Sequence, residues 1–125
     1  MPLMKIRLAL GRTREAPAGD PRHGYEFVAP LDDRGHLDAV AWLQLQEQCT
    51  VRRFRPGQED KRGTLRHVGR GWRFDYEPGG KDDEPFFKLD KHVLAPGLYV
   101  TVLEEDATAR PFKIVKVSSA EVSKT

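Results

Sequence analysis

The chain has 125 residues, with 21 Lys and Arg against 19 Asp and Glu, four His and one Cys. That length suits one domain with one modest core. A single cysteine excludes an internal disulfide framework and a cysteine-rich zinc site, and no apolar run of about 18 residues exists to cross a membrane as a helix. Charged residues at 32% and a mean hydropathy of −0.61 then imply a soluble, cytoplasmic protein with no membrane partner.

Met4, Ile6, Leu8 and Leu10 alternate with Lys5, Arg7 and Ala9. Period two predicts a half-buried strand. Lys5 and Arg7 also break the apolar run that a signal peptide needs. Residues 11–22 mix Pro and Gly with charges and read as a loop. Tyr25, Phe27, Ala29 and Leu31 share one face of a second strand, and Pro30, with no amide to donate, marks its end or an edge. Asp32-Asp33-Arg34-Gly35 is a turn signal.

Residues 38–48 predict the one helix. Asp38 can cap its first turn, and the Ala, Leu and Gln content favours helix. Val40, Leu43 and Glu47, with Trp42 and Leu45, give a mixed apolar face. A helix of about three turns must be held by packing. An alternating reading, with Val40, Trp42 and Gln44 opposite Leu43 and Leu45, stays open.

Strand patterns return at 49–54, ended by Pro56 and Gly57. Residues 63–68 and 72–77 flank Gly69-Arg70-Gly71, a hairpin connection. Further strands are expected at 86–89, at 98–103 after the Pro96-Gly97 turn, and at 112–117 after a hairpin loop at 104–110. Ser118 onward reads as a flexible C-terminal tail, which leaves a single β-rich domain over 1–117. The expected fold class is mainly β: a small antiparallel, partly open β-barrel or sandwich of six to seven strands with one short helix. The barrel is preferred, with the helix plugging one end.

The charge is unevenly laid out. Residues 52–73 hold Arg52, Arg53, Arg55, Lys61, Arg62, Arg66, Arg70 and Arg73 against Glu59 and Asp60. Residues 75–90 reverse the sign, with Asp75, Glu77, Asp82, Asp83, Glu84 and Asp90 against Lys81 and Lys88. A basic surface attracts phosphate chains by counterion release, and arginine forks onto phosphate or carboxylate. Arg52, Arg53, Arg55, Arg62, Arg66, Arg70 and Arg73 are therefore the candidate anion- or nucleic-acid-binding residues. Strand alternation sends Arg52 and Arg53 to opposite faces, so not all seven can converge. The plainer reading is a solvated face whose arginines pair with nearby carboxylates.

Trp72, Phe74 and Tyr76 share a strand face. They suit a base-stacking platform, but a domain this small needs such side chains in its core. His23, His36, His67 and His92 are scattered without metal-ligand spacing, and Asp82-Asp83-Glu84 lacks the spaced ligands and central glycine of a calcium loop. No nucleophile elbow, phosphate-cradling loop or dinucleotide fingerprint occurs. Cys49 reads as a small buried residue. No catalytic residue, metal site or cofactor is expected from these patterns.

Pro96-Gly97-Leu98-Tyr99-Val100-Thr101-Val102, followed by Ala109-Arg110-Pro111-Phe112-Lys113-Ile114, resembles the flavin-binding barrel of ferredoxin-reductase-like enzymes over about 20 residues. The resemblance implies flavin contacts at Arg110 and Phe112, while Lys113 stands where that family has Ser or Thr. The opening Lys5-Ile-Arg-Leu-Ala-Leu-Gly-Arg-Thr-Arg, the stretch Trp72-Arg-Phe-Asp-Tyr and the ending Gly97-Leu-Tyr-Val-Thr-Val are similar to a group of small proteobacterial proteins of unknown function, which implies a self-contained bacterial domain. The functional expectation is a non-catalytic binding or protein-interaction module with a protein partner, or a weak homodimer made by the opposing charge blocks. The alternative is nucleic-acid binding through the basic 52–73 segment.

Overall fold

The computed structural model describes residues 3–68, 71–76, 84–85, 93–104 and 108–120. Its elements are β1 (Leu3–Leu10), β2 (Asp20–Pro30), α1 (Ala39–Leu45) with a 3-10 turn over Gln46–Gln48, β3 (Thr50–Arg55), β4 (Gln58–Val68), β5 (Gly71–Asp75), the two-residue β6 (Glu84–Pro85), β7 (Tyr99–Leu103) and β8 (Ala109–Ser119). They form one sheet in the order β6-β5-β4-β3-β2-β1-β8-β7, and every described strand pair is antiparallel. The sheet curls into a half-barrel, as the right-handed twist of adjacent strands favours. Its edges, β6 and β7, come within 8 Å of each other. The mainly β, partly open barrel is thus the arrangement found, and the sandwich is not.

The concave face is the core. Ile6 and Leu8 of β1, Tyr25 and Phe27 of β2, Val51 of β3, Leu65 of β4, Trp72 and Phe74 of β5, Val100 and Val102 of β7, and Phe112 and Ile114 of β8 are all buried there. Trp72 and Phe74 are therefore core residues, and Tyr76 packs half-buried beside Phe74, with ring centroids 6.5 Å apart. One end is closed by α1. Asp38 caps it, its Oδ1 accepting from the Ala41 amide at 3.0 Å. Trp42 closes the barrel end, its indole N–H donating to the Leu65 carbonyl at 3.0 Å, with the Trp72 and His67 rings 5.8 and 6.0 Å away.

That anchor also corrects the expected helix face. Ala39, Trp42 and Leu45 face the core, while Val40 and Leu43 are 76% and 63% exposed. A seven-residue helix takes its orientation from its largest side chain, not from the average of its apolar positions.

Three boundaries move. β2 begins at Asp20, five residues before the expected start, and β4 begins at Gln58, because Pro56 and Gly57 turn the chain straight back instead of opening a loop. Gly57 supplies the positive φ of 74° that this turn requires. β8 runs to Ser119, since Ser118 and Ser119 pair with Lys5 and Met4. The expected strand at 86–89, the acidic Asp82-Asp83 pair, His92 and most of the Gly69–Gly71 connection lie outside the described residues. No described helix is long and apolar enough to cross a membrane.

Candidate functional site

Strand register sorts the basic residues onto two surfaces. On β3, Val51, Arg53 and Arg55 share the inward face, and Arg52 and Phe54 the outward one. Arg52 stands opposite Arg62 on β4, and Arg66 opposite Arg73 on β5, so these four face outward. Arg53 is opposite Lys61 and Tyr25, facing inward, and is 4% exposed. Of the seven candidates, then, Arg52, Arg62, Arg66 and Arg73 share a face, Arg53 and Arg55 do not, and Arg70 lies outside the described residues.

Of the inward group, Arg53 lies over the Tyr76 ring at 5.3 Å, while Arg55 joins a charged cluster at the barrel end opposite α1. Its hub is Glu104, which follows β7 and is 2% exposed. Glu104 Oε2 accepts from the Tyr25 hydroxyl at 2.5 Å and from Arg55 Nη2 at 2.9 Å, and lies 3.2 Å from His23 Nε2. Oε1 accepts from Arg110 Nη1 at 2.9 Å. Burial alone would raise the pKa of this carboxyl. The hydrogen bonds from His23 and Tyr25 and the charge of Arg55 outweigh it and hold the group at about 2, hence ionised. β7 is not a sheet neighbour of β2 or β3. Glu104 therefore ties the β7–β8 hairpin to β2 and β3 across the hollow of the half-barrel.

Sequence reading missed this cluster. Glu104 and His23 are 81 residues apart, and Glu104 sits in what reads as a polar loop. The two residues to which the flavin resemblance points are both committed inside the fold: Arg110 to Glu104, and Phe112, fully buried, to the Tyr25 and His23 rings at 5.1 and 5.7 Å.

The outward group is different in kind. Glu26 bridges Arg7 and Arg52, each at 3.5 Å, and Asp60 accepts from Arg52 at 2.8 Å. Both guanidiniums also lie over Phe54, 4.4 and 5.0 Å from its centroid, which shields this outward aromatic. The hydrogen bond to Asp60 holds Arg52 more firmly protonated than usual, against the opposing effect of partial burial. Arg66 pairs with Asp75 at 3.0 Å. Lys5, Arg62 and Lys116 are exposed and make no ion pair among the described residues.

Register also sets cations directly against cations on this face: Arg7 opposite Lys116, Arg52 opposite Arg62, and Arg66 opposite Arg73. Like charges in facing positions are destabilising. A shallow groove of about 350 Å³ crosses the same face, lined by Lys5, Glu26, Val28, Thr50, Arg52 and Arg62.

Cys49 is fully buried and its thiol is pushed up to about 11 by desolvation, far from a nucleophile's range. Among the described residues no group of three or more His, Cys, Asp or Glu is placed to hold a metal ion. The chain matches no protein-family model, no curated protein and no solved structure.

Proposed function

We propose that this protein is a non-catalytic binding module that recruits another protein through the outward face of its curled sheet. The observation that supports this most directly is the trio of cross-strand cation pairs, Arg7/Lys116, Arg52/Arg62 and Arg66/Arg73. Within these pairs Arg62 and Lys116 have no ion pair among the described residues, so an anionic partner gains most there, and electrostatic complementarity then gives association its speed and specificity. The carboxylates Glu26, Asp60 and Asp75 interleave with these cations. A mixed-sign surface suits a protein partner better than an unbroken phosphate chain, which would meet the three carboxylates as well as the arginines.

The test is purification of the tagged chain from its source, beside Arg62→Glu. A polypeptide in fixed ratio that leaves with Arg62→Glu is the expected result. Co-eluting material with excess absorbance near 260 nm that nuclease removes would replace this reading with nucleic-acid binding. A polypeptide retained by Arg62→Glu would move the binding face elsewhere. Sedimentation at low and high salt separates a foreign partner from a second copy of the chain.

A further inference from the structure

The outward groove narrows the kind of segment this face accepts. Lys5 on β1 and Arg62 on β4 stand at its two ends, both exposed and both without an ion pair among the described residues. Three interstrand steps and a two-residue offset along the strands separate them, roughly 16 Å at about 4.8 Å per step and about 3.4 Å per residue. Between them the floor is Val28 and Thr50, and one side is the Glu26–Arg52 ion pair, with Arg52 directly beside Arg62. Cation, floor with one apolar side chain and a fixed Glu26–Arg52 pair beside it, cation: this is the order a ligand must match.

An extended chain advances about 3.4 Å per residue and sends every second side chain to the same side. Its first, third and fifth residues therefore face one surface, with the outer two about 14 Å apart, a span that the long Lys5 and Arg62 side chains can meet by leaning inward. We propose that the groove takes an extended segment of a partner protein with acidic residues at its first and fifth positions and an apolar residue at its third. The proposal rests on the outward face being the binding face. The acids meet Lys5 and Arg62, and the apolar side chain lies over Val28 and Thr50. An acid at the third position would lie over Val28, beside an arginine already held by Glu26 and Asp60, and would gain no unpaired cation, so the groove reads the spacing of charge and not merely its amount.

Two fluorescein-labelled peptides with neutral Ser and Gly flanks test this by anisotropy at about 50 mM salt. One carries Glu-Ser-Val-Ser-Glu and the other the same residues as Glu-Ser-Glu-Ser-Val. The first is expected to bind at least threefold more tightly, to weaken as salt is raised, and to lose at least fivefold with Lys5→Glu and with Arg62→Glu. Both positions are exposed, so both variants should fold, which circular dichroism verifies. Equal binding of the two peptides, or binding that ignores both substitutions, overturns the proposal. So does a single-stranded oligonucleotide that binds more tightly than either peptide and is released by Arg62→Glu. If a co-purified polypeptide still depends on Arg62 while neither peptide binds, the spacing rule falls and the binding-face reading stands.

Discussion

The half-barrel uses the same small assembly twice, a glutamate between two arginines, once inside and once outside. Inside, Glu104 holds Arg55 and Arg110 at 2.9 Å each, and its side chain has no exposed surface. Outside, Glu26 holds Arg7 and Arg52 at 3.5 Å each, and about a quarter of its side chain is exposed. The Glu–Arg core is shared; the surroundings are not, since Glu104 also holds Tyr25 and His23 and lies out of water. At the barrel end Glu104 has no exposed surface and Arg55 and Arg110 keep only 16% and 23%, so a charge left alone there is poorly re-solvated and the cluster fixes how the sheet curls. On the outer face water and salt screen each pair, so the arrangement contributes little to stability and stays adaptable to a ligand.

Neutralising each glutamate in turn is the sharpest way to break this comparison. Glu104→Gln leaves Arg55 and Arg110 facing an amide in a buried setting. The expected loss is about 3–5 kcal/mol, as for other broken buried pairs, a large share of the roughly 5–15 kcal/mol that a domain has. Glu26→Gln should cost less than about 1 kcal/mol. Urea midpoints measure both. Equal losses would mean that the inner cluster is wetter than the geometry shows.

Acid titrates the same contrast without a mutation. The Glu104 carboxyl lies at about 2 in the folded chain against an ordinary 4.5. A lowered value means that the folded state favours the ionised form. Its contribution is therefore complete above pH 4.5 and is lost as pH falls from 4.5 toward 2, by up to roughly 3 kcal/mol. Stability of the native chain should fall through that window, and the fall should be shallower by this amount in Glu104→Gln. Parallel curves for the two proteins would remove Glu104 as the source of acid sensitivity.

The difference between the two regions also explains what the sequence made legible. β1, β5 and the buried Trp72 and Phe74 announce themselves because one face of each strand is apolar and the other is not. The Asp38 cap and the Pro96-Gly97 turn are equally local signals, and Gly97 has the positive φ of 94° its turn calls for. The first half of β4 is silent: Gln58 to Arg62 carry no apolar alternation, and their strand state comes from pairing with β3 across a tight turn. The split of Arg52 from Arg53 needs only strand alternation. The cross-strand cation pairs need register, and the Glu104 cluster needs the curl itself, which brings β7 to β2 and β3. Local chemistry could be read from one dimension; chemistry that depends on closure could not.

The smallest expected effect on stability concerns the residue on which both functional proposals lean. Arg62 is exposed, forms no ion pair among the described residues and faces Arg52 across the ladder. Arg62→Glu removes one like-charge contact and puts a carboxylate opposite Arg52. It should leave stability unchanged or raise it by about 0.2–0.5 kcal/mol, the scale of a favourable cross-strand pair. A substitution that slightly stabilises the free chain while abolishing partner binding marks a residue whose place is set by the ligand and not by the fold. Denaturation of Arg62→Glu beside the native chain decides it. A loss above about 1 kcal/mol would make Arg62 part of the scaffold, and the self-repelling face would then need an explanation inside the protein.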